Sequence, residues 1–185
     1  MPLLRMKLPD VHFYAVGSNP PLELLTLAAV DVIITGYVED LHCLLEKMRV
    51  SVAPLRYGAG IKGKIGSAMA VGVPVVTTSI GAEGMSLNDG ENIFVADGAQ
   101  QFCDAVVKIY SSDQLWNDAS RNGLNFARRE WGAQSAWKTL SQILSSLGII
   151  VDAFNTPVEL YQRAPSLTQN YSHSALVATI TCDVK

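Results

Sequence analysis

The sequence predicts an α/β protein built on a doubly wound parallel sheet and followed by helices. Short apolar segments alternate with helical segments from residue 11 to residue 96. These segments are apolar along nearly their whole length, which is typical of parallel strands covered on both faces. From residue 99 onward the pattern turns to helices alone. The pattern therefore predicts a right-handed, Rossmann-like sandwich of helices around one sheet.

Five strands are predicted from the apolar segments, which are rich in the β-branched and aromatic residues that strands favour. Their residue ranges are 11–17, 30–36, 50–55, 73–78 and 92–96. Because a helical segment separates each strand from the next, all five are predicted to run parallel.

The helical segments carry apolar residues at helical spacing and are bounded by proline and glycine. Pro20 and Pro21 open the first helix, and Gly72 and Pro74 end the third. The predicted helices cover residues 20–29, 39–48, 62–71, 99–110, 113–129 and 132–147.

Glycine marks the ends of three strands at the edge where ligands bind in doubly wound folds. Gly17 and Gly36 end the first two strands, and a loop at residues 57–63 follows the third. Ligands of these folds bind in the loops at the carboxyl ends of the strands. The sequence therefore predicts a binding site formed by these three segments.

The composition limits the class of protein. A chain of 185 residues that is 49% hydrophobic and 17% charged is long enough for one domain with a substantial core. Its surface carries few charges, which suggests a partner, and its net charge of −3 disfavours a dedicated nucleic-acid binder. Cys43, Cys103 and Cys182 lie far apart in the sequence, so we expect reduced cysteines and no bound metal.

The extent of the domain and its location also follow from the sequence. Residues 1–148 are predicted to form one domain, and residues 149–185 a poorly specified tail with one short strand. No segment has the length and hydropathy of a membrane span, and the first residues lack the apolar core of a signal peptide. We therefore expect a cytoplasmic protein, with peripheral attachment to a membrane as the remaining option.

The glycine loop satisfies the P-loop spacing GxxxxGK from Gly58 to Lys64. A P-loop continues with Ser or Thr because the hydroxyl binds Mg²⁺, whereas this chain has Ile65. No apolar run that ends in Asp supplies a second metal ligand. These residues disfavour an NTPase.

The same loop matches the dinucleotide fingerprint GxGxxG at Gly58, Gly60 and Gly63. That fingerprint requires an acidic residue at the end of the following strand, for the ribose hydroxyls. Here the following strand ends in Thr77 and Thr78, and the loop follows the third strand rather than the first. A packing role for the glycines, with the nearby lysines merely solvated, stays open at this point.

The stretch VSVAPLRYGAGIKGKIGSAMAVGVPVVTTSIGAEGM, which begins at residue 50, resembles the donor-binding half of a retaining glycosyltransferase of the GT-B fold, in the large family four. The segments VIITGYVEDL before it and DGENIFVAD after it resemble further parts of that family in the same order. The resemblance covers residues 9–147. It implies a Rossmann-like donor domain, which is the C-terminal half of a complete enzyme.

The resemblance implies a site for a nucleotide-diphosphate sugar. Glycines let the backbone approach the diphosphate, and a helix amino terminus with lysines favours its negative charge. Cationic side chains can stabilise the departing diphosphate, so neither a metal nor another cofactor is expected, and no catalytic residue is assigned. The implied donor-binding residues are Gly36, Tyr37, Val38, Tyr57, Gly58, Ala59, Gly60, Ile61, Lys62, Lys64 and Ser67.

The chain departs from the family in two ways. Ser67 stands where the family usually has a carboxylate for the ribose diol, and Ala59 where many members have an acid. A complete enzyme also has an acceptor-binding domain, and its donor domain has a first strand that is followed by an arginine and a lysine. Residues 2–9 resemble the end of the helix that follows that strand. A missing strand exposes a sheet edge, so we expect self-association or a partner that supplies the missing half.

The resemblance therefore implies the donor domain of a hexosyltransferase-type enzyme of carbohydrate biosynthesis, which we expect to be inactive as an isolated chain. The expected partners are a nucleotide sugar and either the missing acceptor domain or a second copy. No nucleic acid and no transmembrane segment is expected. The alternatives are a non-catalytic α/β binding or interaction module and a relic of a GT-B epimerase.

Overall fold

The computed structural model describes residues 1–58, 60–149 and 175–179. Helices and strands alternate along the first half of the chain, and helices follow. The helices are α1 (Pro2–Lys7), α2 (Leu22–Leu25), α3 (Leu41–Leu45), α4 (Gly63–Ala70), α5 (Ser79–Ala82), α6 (Ala99–Ser111), α7 (Asp113–Trp131) and α8 (Ala133–Ser146). The strands are β1 (His12–Val16), β2 (Val32–Gly36), β3 (Val50–Ala53), β4 (Val75–Thr77), β5 (Phe94–Val95) and β6 (Ala175–Thr179).

The strands form one sheet in the order β2-β1-β6-β3-β4-β5, and every neighbouring pair is parallel. The predicted doubly wound parallel fold is confirmed. The five strands predicted from the sequence all form, each shorter than its apolar segment. A sixth strand, β6, comes from residues 149–185, where the sequence analysis expects one short strand, and it joins the same sheet.

β6 lies in the middle of the sheet, between β1 and β3. It pairs with β1 along its whole length, and Val50 and Ser51 of β3 pair with Leu176 and Val177. The edge that the sequence analysis expects to be exposed by a missing strand is therefore covered from within the chain. The remaining tail residues, 150–174 and 180–185, lie outside the described residues.

Two apolar clusters pack against the two faces of the sheet. Side chains of α3, α4 and the second half of α7 cover one face, and those of α1, α6 and the first half of α7 cover the other. β6 contributes to both clusters because its side chains alternate. Ala175 and Val177 lie in the first cluster and Leu176 in the second. The burial of both faces explains why the strands are apolar throughout.

Arg49 fixes the amino end of β3. Its side chain is buried and donates hydrogen bonds to the Tyr110 carbonyl at 3.2 Å and to the Asp113 carboxylate at 2.6 Å. The guanidinium lies 5.3 Å from the centre of the Trp116 ring, and the indole N–H donates to the Arg49 carbonyl at 2.6 Å. The Arg49 amide donates to the Ala175 carbonyl at 2.8 Å. One residue therefore ties β3 to both β6 and the α6–α7 junction.

Two of the helices are about half as long as predicted or less. The helix predicted over residues 20–29 forms only over Leu22–Leu25, because Ala29 pairs with Val32 in a tight turn that leads into β2. The helix predicted over residues 39–48 forms over Leu41–Leu45. None of the described helices is long and apolar enough to cross a membrane.

The position of β6 predicts a large difference between two leucine-to-alanine substitutions. Leu176 is fully buried in β6, whereas Leu140 on α8 is 46% exposed. We expect Leu176→Ala to lower the free energy of unfolding by about 2–5 kcal/mol, because it leaves a cavity in the sheet. Leu140→Ala serves as the control and should change it by less than about 0.5 kcal/mol. Urea unfolding followed by circular dichroism measures both, and equal effects would contradict the placement of β6.

Candidate functional site

The parallel strands bring the predicted site segments to one edge of the sheet. Residues 36–38 follow β2, residues 54–62 follow β3, and residues 78–83 follow β4. Gly17 follows β1, and β6 ends at the same edge because it is parallel to its neighbours. The carboxyl edge is where doubly wound folds bind ligands. The structure thus brings together at one edge the segments that the sequence analysis singled out.

Two threonines at the end of β4 hold the base of the glycine loop. The Thr77 hydroxyl donates to the Ala53 carbonyl at 2.9 Å, and the Thr78 hydroxyl donates to the Leu55 carbonyl at 2.7 Å. The Thr78 oxygen also accepts the Gly81 amide at 3.3 Å, which caps α5. A Cβ at Gly81 would lie 1.9 Å from the Thr77 hydroxyl oxygen, so this position requires glycine. The loop therefore starts from a fixed base.

Beyond this base the loop is open. Gly58 has a φ of 137° and Gly60 a φ of 74°, which are conformations that favour glycine. No described atom lies within 4 Å of the point where a Cβ would stand at either residue. Glycine is therefore needed at these two positions for the backbone conformation and not for close packing. This disfavours the alternative in which the loop glycines have only a packing role. Ala59, between them, lies outside the described residues.

Lys62 is buried at the junction of the loop with α4, with 7% of its surface exposed. Its ammonium donates a hydrogen bond to the Glu83 carbonyl at 3.3 Å, and its own carbonyl accepts the amides of Ile65 and Gly66. The burial of Lys62 therefore disfavours the alternative in which this lysine is merely solvated. The ammonium joins the start of α4 to the loop after α5, whereas the Glu83 side chain is exposed.

The amino end of α4 points into the same edge. Lys62 precedes the helix and makes no side-chain cap among the described residues. The first N–H groups of a helix lack intrahelical partners and carry a positive partial charge. Lys64 lies half-buried in the first turn, and Ser67 follows one turn later on the same side. This end of α4 can therefore bind an anion.

Residues 36–38 form the neighbouring part of the edge. Gly36 has a φ of 68°, and no described atom lies near its missing Cβ. Its carbonyl accepts the Gly17 amide at 3.1 Å, which joins the ends of β1 and β2. Tyr37 is 75% exposed, and Val38 packs against the core. The segment thus combines an anchored backbone with an exposed aromatic ring.

Asp40 lies just beyond this segment and begins α3. Its carboxylate accepts the Cys43 amide at 2.9 Å. Hydrogen bonds from Cys43 hold the pKa of the Asp40 carboxyl below its usual value, and the same contact raises the pKa of the Cys43 thiol. Asp40 is therefore a helix cap.

Large side chains on the glycine loop face solvent. Tyr57 is 86% exposed and Ile61 is 72% exposed, on either side of the loop glycines. Sequence reasoning anticipated both as site residues. It missed the contacts made by Thr77 and Thr78, although a pair of hydroxyls at a strand end beside a turn is a usable signal. Sequence reasoning also missed the Glu83 carbonyl as a partner of Lys62, because every residue type has a backbone carbonyl and the sequence cannot show which one accepts a hydrogen bond.

The described residues contain no group of three His, Cys, Asp or Glu side chains that could hold a metal ion. The expectation of a metal-independent site stays a prediction.

The chain is similar in sequence to one protein family and to a protein of a bacterial cps region. A family model of the group 1 glycosyl transferases matches residues 1–112. An uncharacterized 44.6 kDa protein in the cps region of Klebsiella pneumoniae is 24% identical over 112 residues, which are 60% of this chain and 29% of that protein. This chain thus spans less than a third of that relative.

The fold is similar to those of several solved structures. Anabaena Alr3699/HepE in complex with UDP has a TM-score of 0.68 and 17% identity, over 78% of this chain and 43% of that one. The same protein in complex with UDP-glucose has a TM-score of 0.66 and 19% identity, with the same coverage. The C-terminal domain of LpcC, a group 1 family protein from Francisella tularensis, has a TM-score of 0.50 and 21% identity, over 56% of this chain and 55% of that domain. At these identities the likeness shows the fold.

The sequence match covers more than half of this chain and includes β1 to β5 and the whole glycine loop. The chain belongs to the group 1 glycosyl transferases.

Proposed function

We propose that this chain is the donor-binding unit of a retaining glycosyltransferase and binds a nucleotide-diphosphate sugar at the carboxyl edge of its sheet. The observation that carries the proposal is the glycine loop that runs into the amino end of α4, which has no side-chain cap among the described residues, beside Lys62 and Lys64. The similar fold of HepE, which was solved with UDP and with UDP-glucose, supports the same ligand class.

The charge of the ligand would fall where the site is most positive. Backbone N–H groups at the start of α4 and in the glycine loop can approach a diphosphate closely, because no Cβ intervenes at Gly58 and Gly60. Residues 36–38 are the proposed contact for the nucleobase, and Ser67 for the ribose. Such a site binds its ligand without a metal.

Lys62 has two proposed effects on this site. Its hydrogen bond to the Glu83 carbonyl positions the loop after α5 relative to α4. Burial of the charged ammonium costs free energy unless a negative charge lies nearby. A bound diphosphate would supply that negative charge. In the transfer step, the diphosphate leaves with its charge held by these groups.

Sugar transfer needs the acceptor to be held against the donor, because positioning both reactants removes the entropic cost of bringing them together. A unit that binds only the donor does not position the acceptor. The chain spans less than half of HepE, so we propose that the acceptor is bound by a further domain or partner and that the isolated chain is inactive. We also propose a cytoplasmic location, with peripheral membrane attachment as the alternative.

A non-catalytic binding module is the second candidate. The observation that favours it is Ser67, which offers one hydroxyl where a carboxylate would accept both hydrogens of the ribose diol. A donor-binding unit should bind a nucleoside diphosphate without a metal, whereas a module that keeps only the scaffold should not.

The role of Lys62 can be tested by removing its charge. We expect the full-length chain to bind UDP in the presence of EDTA, and Lys62→Met to weaken binding roughly ten- to a hundred-fold, the effect of one charge-assisted hydrogen bond. Lys108→Met, an exposed residue on α6, is the control and should leave the affinity unchanged. Calorimetry measures binding, and thermal melting checks that both variants are folded. Equal affinities for the two folded variants would contradict the proposed place of the diphosphate.

Ser67 tests the place of the ribose. We expect Ser67→Glu to bind UDP roughly ten-fold more tightly or better, because a carboxylate accepts charge-assisted hydrogen bonds that are about twice as strong as neutral ones. Ser67→Gln has the same length without the charge and should gain much less. Calorimetric titration compares the three chains. If Glu and Gln behave alike, the ribose does not lie at this helix.

The isolated chain should show no transfer of sugar. Purified protein incubated with UDP-glucose and a panel of alcohol and sugar acceptors is expected to give no product above a protein-free blank, because nothing holds the acceptor. Mass spectrometry of the mixtures detects products. A product that requires the protein would show that this chain alone is an enzyme.

A further inference from the structure

β6 makes the sheet continuous. β1 and β3 each pair with β6, and in the described part of the chain they do not pair with each other. Without the segment Ala175–Thr179 the sheet would have a gap one strand wide. Backbone N–H and C=O groups would be unpaired on both sides of that gap, which costs free energy.

The gap has simple requirements. It needs an extended segment, parallel to β1 and β3, whose backbone completes both ladders. Backbone pairing of this kind depends little on side-chain identity. The apolar clusters on the two faces of the sheet can accept small or medium-sized apolar side chains. Ala175, Leu176 and Val177 meet this demand and are all buried. A strand that docks here makes the same contacts whichever copy of the chain supplies it.

The chain between α8 and β6 is long enough to reach a neighbour. Residues 150–174 separate Ile149 from β6. A segment of that length spans at most roughly 85 Å when extended, whereas a small domain is about 30 Å across. β6 can therefore reach the gap of an adjacent copy.

We propose that the gap between β1 and β3 is a strand-docking site that accepts residues 175–179 of a second copy, which gives a strand-exchanged dimer. The closed monomer and the dimer contain the same docked contacts, so their balance depends on the effective concentration of the chain's own strand. Linkers between binding modules give effective concentrations on the order of millimolar. Closed monomers therefore dominate in dilute solution, and exchanged dimers form near that concentration.

The exchange bears on the candidate site. β6 joins the half that carries residues 36–38 to the half that carries the glycine loop and α4. In the dimer each nucleotide site is therefore completed by the partner's central strand. This consequence rests on the proposed function, whereas the exchange itself does not.

A disulfide reports which chain supplies the strand. Ser51 and Val177 are directly opposite each other on β3 and β6, and neighbouring strands lie at a separation that a disulfide can bridge. The test variant combines Ser51→Cys and Val177→Cys in the 185-residue chain, with Cys43, Cys103 and Cys182 replaced by alanine. Samples at micromolar concentration, and samples concentrated to about one millimolar, are oxidised with diamide. Light scattering gives the oligomeric state, and a non-reducing gel distinguishes links within a chain from links between chains.

We expect linked monomers in the dilute samples and covalent dimers in the concentrated ones, in proportion to the dimer seen by light scattering. Concentrated samples that stay monomeric overturn the proposal. Dimers whose disulfides all lie within one chain also overturn it, because they associate through another surface. The absence of any link at all concentrations overturns it as well, since β6 would not then lie beside β3.

The apolar face of α8 is the rival surface for association. Leu140 and Ile143 on that face are both about half exposed. The double change Leu140→Asp with Ile143→Asp should leave the covalent dimer unaffected, and its loss would overturn strand exchange. Calorimetry on the isolated dimer should give two UDP per dimer with the affinity of the monomer. If neither form binds UDP, the proposed function fails while the disulfide pattern still decides the exchange.

Discussion

The pairing of β6 with β1 and β3 is the constraint on which the rest of the structure depends. In the described part of the chain it is the strand pairing that joins the β1–β2 half of the sheet to the β3–β5 half. Its residues enter the apolar clusters on both faces. Arg49 strengthens the pairing of β3 with β6, since its amide donates to the Ala175 carbonyl and its side chain binds the start of α7.

The site combines a rigid base with an open tip. Hydroxyl contacts from Thr77 and Thr78 hold the first residues of the glycine loop, and the Lys62 ammonium holds its last residue to the Glu83 carbonyl. Between these anchors Gly58 and Gly60 meet no described atom at their Cβ positions. A loop held at both ends and open in the middle presents its backbone to a ligand at little conformational cost, because the anchors limit what must be ordered on binding.

Local features were predictable from the sequence, and contacts between distant segments were not. The five strands followed from apolar segments bounded by glycine and proline, and the glycine loop from its spacing. β6 could not be placed, because ALVAT fits any buried parallel strand and its partners lie far away in the sequence. The burial of Lys62 was also hidden, since a lysine at a helix start is usually solvated and only the position of the Glu83 carbonyl draws it inward.

Positive charge is concentrated at one end of the candidate site. The positive elements, which are the start of α4 with Lys62 and Lys64, lie at one end, whereas Ser67 supplies only a neutral hydroxyl one turn further. Most of the binding free energy would therefore come from the attraction between the diphosphate and these positive groups. The ribose would contribute little. A buried ammonium also retains its attraction better than an exposed one as salt increases, because solvent ions screen it less. The same anchor that shapes the loop would thus keep the diphosphate end effective at physiological ionic strength.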